Sequence, residues 1–313
     1  MHACTKIHIK LSQNQNPSSI CFSTMSLNIL KYPILLLVLC LVNPFPSAVP
    51  GVSATPFTRT LQNLRGLRKG QNANGVGTLR SHLKHLGYQV NEQFSSNNNF
   101  DENVESALKH YQAFHHLPTS GVVDDKTIET MSLPRCGLPD IPIISNPNPN
   151  APQNYSYFPG SPRWRKFALT YRRSSSATIS LTINAVRQAM ANAFQTWRQN
   201  NSFTFTEVTG SSDIVYGFHR GSHGDGYPFD GAFGVLAHAF SPQDGRLHFD
   251  GDENWSTGGS GIDMETVSLH EIGHILGLGH SNVAGAVMEP TYAGIRRILA
   301  QDDKDGLKNL YGF

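Results

Sequence analysis

Three histidines and one glutamate near the end of the chain have the spacing of a catalytic metal site, H-E-x-x-H-x-x-G-x-x-H. His270 and His274 are one helical turn apart, so both imidazoles face the same way. Gly277 can end that helix and bend the chain, which lets His280 supply a third nitrogen. Three neutral imidazoles leave the fourth position of a tetrahedral Zn²⁺ ion for water, on which Glu271 can act as general base. Surface histidines that bind nothing are the alternative.

A methionine downstream extends this pattern. Met288 lies eight residues after His280 and ends an apolar triplet, which by itself would indicate only a core position. After the longer motif, it resembles the methionine turn of the metzincins, which lies under the zinc. Ser281 directly follows His280, and a serine at this position resembles the matrixin branch of the metzincins, the matrix metalloproteinases. The resemblance implies a metalloendopeptidase with an α+β (or α/β) metzincin catalytic domain, a twisted mixed sheet and three helices.

A second group of histidines precedes the motif in a Gly/Asp-rich region. Three histidines and one aspartate can close a tetrahedral shell with no open position, as in a structural zinc site. Spacing alone leaves scattered surface histidines as the alternative. The resemblance implies a structural zinc bound by His223, Asp225, His238 and His248.

The resemblance also implies calcium, an ion that prefers carboxylate and carbonyl oxygens. Phe233 stands where the family usually has a small residue, so its side chain must be accommodated. Asp213 corresponds to a ligand of a second calcium, but the 238–248 segment is short and closer to plant-type members. Ordinary surface turns are the alternative for all these acids. The first calcium site corresponds to Asp230, Gly231, Asp250 and Glu253.

The N-terminal segment has the layout of a secretory signal peptide. An apolar run from Ile34 to Val42 follows Lys31 and precedes small residues, and it is too short to span a bilayer. A buried strand or an uncleaved anchor is the alternative, and the start could be Met1 or Met25. Removal of this segment takes three of the four cysteines with it and leaves Cys136 alone.

The segment around Cys136, Pro-Arg-Cys-Gly-Leu-Pro-Asp, resembles the cysteine switch of the same family. A thiolate is a strong zinc ligand and can fill the position that water needs. Arg135 and Asp140 carry opposite charges and could brace the loop. The resemblance therefore implies that Cys136 is a zinc ligand in a latent form, and that activation requires cleavage near Asn154–Tyr155. The new ammonium group could then pair with Asp302 or Asp303.

Composition and periodicity fit this organisation. The formal charge of +2 over 313 residues gives no reason to expect a nucleic-acid partner. The predicted parts are an N-terminal extension with signal peptide (1–54), a propeptide that resembles peptidoglycan-binding three-helix domains (55–140), an activation linker (141–156) and the catalytic domain (157–313). Apolar spacing and alternation predict helices along 76–86, 100–114, 183–197, 264–276 and 301–311, and strands along 164–171, 203–208 and 214–218. Ile128 and Met131 predict a further short helix after Asp124 or Asp125.

We therefore expect a secreted zinc endopeptidase, made as a zymogen, that acts as a monomer on extracellular proteins in the apoplast or matrix. It needs an activating protease and has no transmembrane segment. The architecture resembles the minimal, matrilysin-like, plant-type members. Sequons predict glycosylation at Asn154, Asn200 and Asn254. An extracellular glycan- or cell-wall-binding protein with a structural zinc is the first alternative, and a metalloenzyme with a non-peptide substrate is the second.

Overall fold

The computed structural model describes residues 55–90, 98–141, 154–174, 177–199 and 201–313. The predicted signal peptide, most of the predicted linker and the sequon at Asn200 therefore lie outside the described residues. Within the described ranges, no helix combines the length and the apolar character needed to cross a membrane.

The propeptide contains the three predicted helices and one more that precedes them. Asp101 caps the second of the predicted helices, since its carboxylate accepts a 3.0 Å bond from the Val104 N–H. Gly87, with a φ of +92°, follows the first and ends it as predicted. The helices are α1 (Pro56–Asn63), α2 (Val76–His85), α3 (Glu102–Phe114) and α4 (Asp125–Met131).

Helix α1 has one buried residue, Leu61. It therefore lacks the apolar stripe that predicts the other three helices of the propeptide. Its start depends on local chemistry instead. Thr55 Oγ1 accepts a 3.1 Å bond from the Thr58 N–H, and Pro56 occupies the first helical position. The four helices bury a core of their own, which includes Leu79, Leu83 and Leu108.

The catalytic half contains the three predicted helices and a mixed sheet. Its helices are α5 (Ile183–Arg198), α6 (Met264–Ile275) and α7 (Gln301–Tyr311). The strands, numbered with one that the propeptide supplies, are β1 (Arg135–Cys136), β2 (Tyr155–Tyr157), β3 (Ala168–Arg173), β4 (Thr204–Glu207), β5 (Ile214–His219), β6 (Val235–Ala239), β7 (Arg246–Asp250), β8 (Trp255–Ser256), β9 (Ile262–Asp263) and β10 (Leu278–Ser281).

The strand predicted from Trp164 begins only at Ala168. The Trp164 N–H donates a 3.0 Å bond to the Tyr311 hydroxyl, and its indole donates a 2.8 Å bond to the Ile275 carbonyl. These bonds hold the tryptophan against α6 and α7, away from any strand partner. A period-2 pattern cannot distinguish this packing from a strand.

The main sheet has six strands in the order β1-β6-β7-β5-β3-β4, and β6 runs antiparallel to β7 while the other pairs are parallel. Its edge strand β1 belongs to the segment predicted as a cysteine switch, and pairs Arg135 with Val235 and Cys136 with Ala237. The propeptide thus completes the sheet of the catalytic half at the β6 edge.

Helix α6 lies in the centre of the catalytic half. Every residue of α6 except Glu265 is buried. Helix α5 fixes it from one side, since the Trp197 indole donates a 2.8 Å bond to the Leu269 carbonyl. A helix held on all sides keeps the side chains that it carries in fixed positions, and α6 carries the first two histidines of the motif.

Candidate metal centre and active-site cleft

Helix α6 presents His270 and His274 on one face, as the spacing predicts. Each ring places Nδ1 against a backbone carbonyl: His270 at 2.7 Å from the Val287 oxygen and His274 at 2.8 Å from the Leu278 oxygen. Because a carbonyl only accepts, Nδ1 carries the proton in both rings. The Nε2 lone pairs are then free to bind a metal.

The third histidine arrives through a turn that requires glycine. Gly277 follows α6 with a φ of +106°, and a Cβ atom there would lie 2.6 Å from the Pro162 carbonyl oxygen. Strand β10 then carries His280, whose Nδ1 lies 2.8 Å from the Pro139 oxygen. Its tautomer therefore matches those of the other two.

Four ligand atoms converge at this point, all within 4.8 Å of one another: the three Nε2 atoms and Cys136 Sγ. The Nε2 atoms of His270 and His274 are 3.0 Å apart, and Sγ is 3.4 Å from His274 Nε2. Two lone pairs that face each other at this distance repel unless a cation lies between them. Burial lowers the pKa of His274 to about 4 and those of His270 and His280 well below 6.5, so the rings are neutral. Three imidazoles and a thiolate form a donor set that suits Zn²⁺.

Glu271 lies beside this cluster with its carboxylate fully buried. Neither oxygen has a hydrogen bond of ordinary geometry within the described ranges, although the Cys136 thiol lies close enough to interact with the group, and burial raises its pKa to about 8. A carboxyl buried without partners is costly for folding, and such groups are concentrated at active sites.

The segment that carries Cys136 lies in a cleft between β6 and residues 290–292. The Cys136 N–H donates a 2.9 Å bond to the Pro290 carbonyl, and the Gly137 N–H donates a 2.9 Å bond to the Ala237 carbonyl. Backbone bonds on both sides thus hold the thiol over the three imidazoles.

The predicted brace between Arg135 and Asp140 is confirmed, because their buried side chains form an ion pair. Asp140 also accepts a 2.8 Å bond from the Tyr88 hydroxyl and lies 3.2 Å from His115 Nε2. Burial alone would raise the pKa of Asp140, but Arg135 and His115 outweigh it and hold that pKa well below its usual range. Tyr88 and His115 were not predicted from the sequence, because they lie 52 and 25 residues from Asp140 and no motif connects them.

The second predicted metal group also comes together. Nitrogens of three histidines lie 2.7–2.8 Å from a single oxygen of Asp225, and the four side chains are at most 11% exposed. Burial would raise the pKa of Asp225, but bonds from the Tyr227 N–H and from the histidines hold it well below its usual range. The three rings belong to His223, His238 and His248.

Comparisons with known proteins recognise both halves of the chain. Residues 163–312 match the Matrixin family model, and residues 72–131 match that of a putative peptidoglycan binding domain. The chain is 39% identical to Metalloendoproteinase 5-MMP of Arabidopsis thaliana, over 81% of this chain and 75% of that protein. It is 40% identical to Metalloendoproteinase 1 of Glycine max, over 78% and 84%, and 42% identical to human Matrilysin, over 67% and 77%.

The chain belongs to the matrixin family. It is therefore a metalloendopeptidase of a zinc-dependent family whose substrates are proteins. The family match also confirms the predicted metzincin fold behind a peptidoglycan-binding-like propeptide.

In this matrixin, Met288 packs directly under α6. A Cβ atom at Gly273, a variable position of the motif, would lie 2.3 Å from Met288 Sδ, so the glycine there makes room for the methionine. Asp303 fixes the turn by accepting bonds from the N–H groups of Val287 (2.9 Å), Met288 (3.1 Å) and Ala300 (2.8 Å). The Asp303 carboxylate thus accepts three hydrogen bonds, whereas the Asp302 carboxylate accepts one, from the Ser281 hydroxyl at 2.6 Å.

The acids of the first predicted calcium site form a cluster. Asp250 Oδ2 and Glu253 Oε2 are buried without partners among the described residues. Burial, and the nearby charge of Asp230, raise the pKa of Asp250 to about 6 and that of Glu253 to about 7. Gly231 has a φ of +85° and Phe233 a φ of +72°, a region that costs a bulky residue free energy. The Phe233 N–H donates a 2.7 Å bond to Glu253 Oε1.

The remaining predicted positions lie apart from these clusters. Asp213 pairs with Lys166 at 2.7 Å and accepts a 2.8 Å bond from the Thr170 N–H, so its carboxylate already has partners. We propose no calcium there. Asn154 and Asn254 are exposed, as a glycosylation acceptor must be.

The cleft of the matrixin has a pocket on each side of Cys136. Beyond Leu138 and Pro139, one pocket is lined by Tyr157, Phe158 and Tyr227. On the Pro134 side, the other pocket adjoins His270 and Glu271, and it is lined by Leu236, Val267, Pro290, Thr291, Tyr292, Gly294 and Arg296. Residues 290–292 thus form one wall of that pocket.

Proposed function

We propose that this chain is the latent precursor of a secreted zinc endopeptidase, and that the described arrangement is the inhibited form. One observation carries the proposal. The thiol of Cys136 lies among three imidazole nitrogens and close enough to the buried carboxylate of Glu271 for the two groups to interact. This geometry fills the position at which a substrate carbonyl and a water molecule would otherwise meet.

In the active enzyme, His270, His274 and His280 would hold the catalytic zinc through Nε2. Bound Zn²⁺ supplies a Lewis acid for the substrate carbonyl and lowers the pKa of water. Glu271 accepts a proton from the attacking water and passes it to the leaving amine. Its burial supports this role, because a raised pKa matches the group to proton transfer near neutral pH.

The pocket walled by residues 290–292 would take the side chain that follows the scissile bond. Its walls include Leu236 and Val267, which favour an apolar side chain there. The substrates are then proteins of the extracellular space, and another protease or autolysis would cut the linker. A new N-terminus at Tyr155 would pair with Asp302, because Asp303 already has three donors.

Two further ions would stabilise the catalytic half. A structural zinc fits the site of Asp225 and its three histidines, since converging ring nitrogens leave no open position. Calcium fits beside Asp250 and Glu253, whose buried oxygens lack other partners among the described residues, with Asp230 and the carbonyl of Gly231. Neither ion takes part in the proton transfer.

A peptide-cleavage assay on the purified, signal-free chain tests the proposal. We expect no cleavage of a quenched peptide library until a thiol-reactive mercurial is added, and loss of the activity with a zinc chelator. Cleavage without the mercurial would contradict latency through Cys136. Bound zinc with no cleavage under any condition would contradict the enzyme assignment and favour the glycan-binding alternative.

A further inference from the structure

Positive charge is concentrated in one part of the catalytic half. Residues 155–206 contain six arginines and one lysine and no acidic residue, although the formal charge of the whole chain is only +2. Two of these cations form ion pairs in the described ranges, Lys166 with Asp213 at 2.7 Å and Arg187 with Glu207 at 2.8 Å. The five that form none in those ranges are Arg163, Arg165, Arg172, Arg173 and Arg198. Unpaired charge of one sign indicates a contact with an anion.

Two of the unpaired arginines share a groove. Arg163 and Arg165 are both exposed, and the Arg163 guanidinium donates a 3.1 Å bond to the Leu310 carbonyl at the end of α7. This bond fixes the side chain but brings no carboxylate to it. None of the other residues that line the groove is acidic; they are Ser161, Pro162, Pro242 and Gln243. The groove is therefore positively charged along its length.

An exposed aromatic ring lies close to these arginines. Phe167 is 43% exposed, and its ring lies 6.0 Å from those of Tyr311 and Phe313 and 5.2 Å from that of Phe203. Phe167 and Arg163 thus both contact the end of α7. A single exposed phenylalanine is ordinary, but one beside two unpaired guanidinium groups offers a flat apolar face next to donors that bind carboxylates in bidentate geometry.

This surface is separate from the active-site cleft. The groove shares no lining residue with either cleft pocket, and no described residue of the propeptide lines it. A Cβ atom at Gly277 would lie 2.6 Å from the Pro162 carbonyl oxygen and 3.6 Å from Pro242 Cγ, so the groove lies behind the turn that follows α6. A peptide in the cleft therefore has no need of these arginines, which favours a ligand other than the cleaved segment.

We propose that Arg163, Arg165 and Phe167 form a binding site for an acidic polysaccharide, a polymer whose sugar rings carry carboxylates. The guanidinium groups would pair with the carboxylates, and the phenylalanine would stack against the apolar face of a sugar ring. The site would hold the protein on an anionic matrix and leave the cleft free. This inference goes beyond the proposed function and does not depend on it, because binding requires neither activation nor cleavage.

Binding of the full zymogen to polygalacturonate tests the site. We expect saturable binding at about 50 mM salt that weakens towards about 0.5 M, because salt screens exposed charges. The double variant Arg163→Gln, Arg165→Gln should weaken binding about three- to tenfold. Arg165→Gln alone, which breaks no hydrogen bond of the described ranges, should weaken it about two- to threefold and guards against misfolding of the double variant.

Arg187→Gln, Arg198→Gln is the matched control. It removes the same charge from the same stretch of sequence, but on α5 and outside the groove, and it should bind as the parent does. No binding by the parent would overturn the site. Equal losses in the groove variant and in this control would also overturn it, since they would assign the binding to net charge alone.

Phe167→Leu distinguishes a polysaccharide from an acidic protein segment. Leucine keeps an apolar contact with Phe203 but removes the flat ring, so binding of polygalacturonate should weaken about threefold while binding of polyglutamate stays unchanged. Tighter binding of polyglutamate than of polygalacturonate, with no effect of Phe167→Leu, would contradict the proposal and assign the surface to acidic proteins. Peptide cleavage by the mercurial-activated groove variant should equal that of the parent, and failure of the parent to cleave would contradict only the proposed function.

Discussion

The hydroxyl of Tyr88 donates a 2.8 Å hydrogen bond to the buried carboxylate of Asp140, which in turn pairs with Arg135. Tyr88 follows α2 in the helical body of the propeptide, whereas Asp140 and Arg135 flank the cysteine. The body of the propeptide therefore supports the thiol through one short chain of polar contacts. Latency should depend on that chain as well as on the thiol itself.

Replacing Tyr88 with phenylalanine should weaken latency. Loss of a hydrogen bond to a buried charged group costs about 1.5–3 kcal/mol, which raises the open fraction roughly 10- to 100-fold. The rate at which a thiol reagent labels Cys136 in the uncleaved chain measures that fraction. Tyr111→Phe is the matched control, since the buried Tyr111 hydroxyl has no partner among the described residues. Equal labelling of the parent and Tyr88→Phe would show that the Tyr88 contact does not hold the switch.

Replacing Glu271 with glutamine should abolish peptide cleavage while zinc stays bound. Loss of a general base costs roughly 10²- to 10⁴-fold in rate. The variant should also unfold at the same temperature as the parent or higher, because it removes a buried carboxyl that has no partner. Peptide turnover, zinc content and thermal unfolding of the activated protein test both effects. Turnover near the parent's would refute the assignment of the base.

The zinc motif is predictable from sequence because its geometry is local. His270 and His274 lie one turn apart on one helix, and Gly277 needs only its own φ of +106°. Pairings between distant segments are not local, and no pattern in the sequence predicts them. Strand β1 joins the sheet only through β6, about a hundred residues away, and no periodicity in two residues indicates it. Tyr88 and His115, the distant partners of Asp140, were not predicted for the same reason.

The positive φ of Phe233 is a second feature that could not be predicted from the sequence. Phe233 is a bulky residue, and its sequence context predicts only that the side chain must be accommodated. The structure places the backbone itself in the left-handed region, with its N–H directed at Glu253. Propensity alone disfavours that conformation for a bulky residue, so it depends on contacts that the local sequence does not indicate.

Replacing His238 with alanine should remove the structural zinc and leave the catalytic one. The change deletes one of three ring nitrogens around Asp225, and breaking such a buried charged set costs about 3–5 kcal/mol. Metal analysis should find one zinc per chain instead of two, with a lower unfolding temperature. His219→Ala is the control, because this ring stacks on His223 and packs at a tilt against His248 without belonging to the ligand group. Two zinc ions in His238→Ala would contradict the assignment.

Acid should weaken the latent form through His82. This ring packs 4.2 Å from the ring of Phe57, and its buried Nε2 has no partner in the described ranges. Burial, together with the nearby charges of Arg135 and His85 and against the opposing charge of Asp140, lowers the pKa of His82 to about 3. The pKa of this histidine is near 6.5 in the unfolded chain and lower in the folded one. The folded form therefore keeps its full stability above pH 6.5 and loses stability as the pH falls towards 3.

Between pH 6.5 and pH 4.5, the parent should therefore lose about 2 kcal/mol of propeptide stability through this one group. Urea unfolding of the zymogen at the two pH values measures the loss, and the labelling rate of Cys136 should rise with it. His82→Leu keeps an apolar contact with Phe57 and cannot titrate. Its loss of stability between the two pH values should therefore be about 2 kcal/mol smaller than that of the parent. His110→Leu, at an exposed position on α3, should behave as the parent does. Identical acid sensitivity of the parent and His82→Leu would place the sensitivity in other groups.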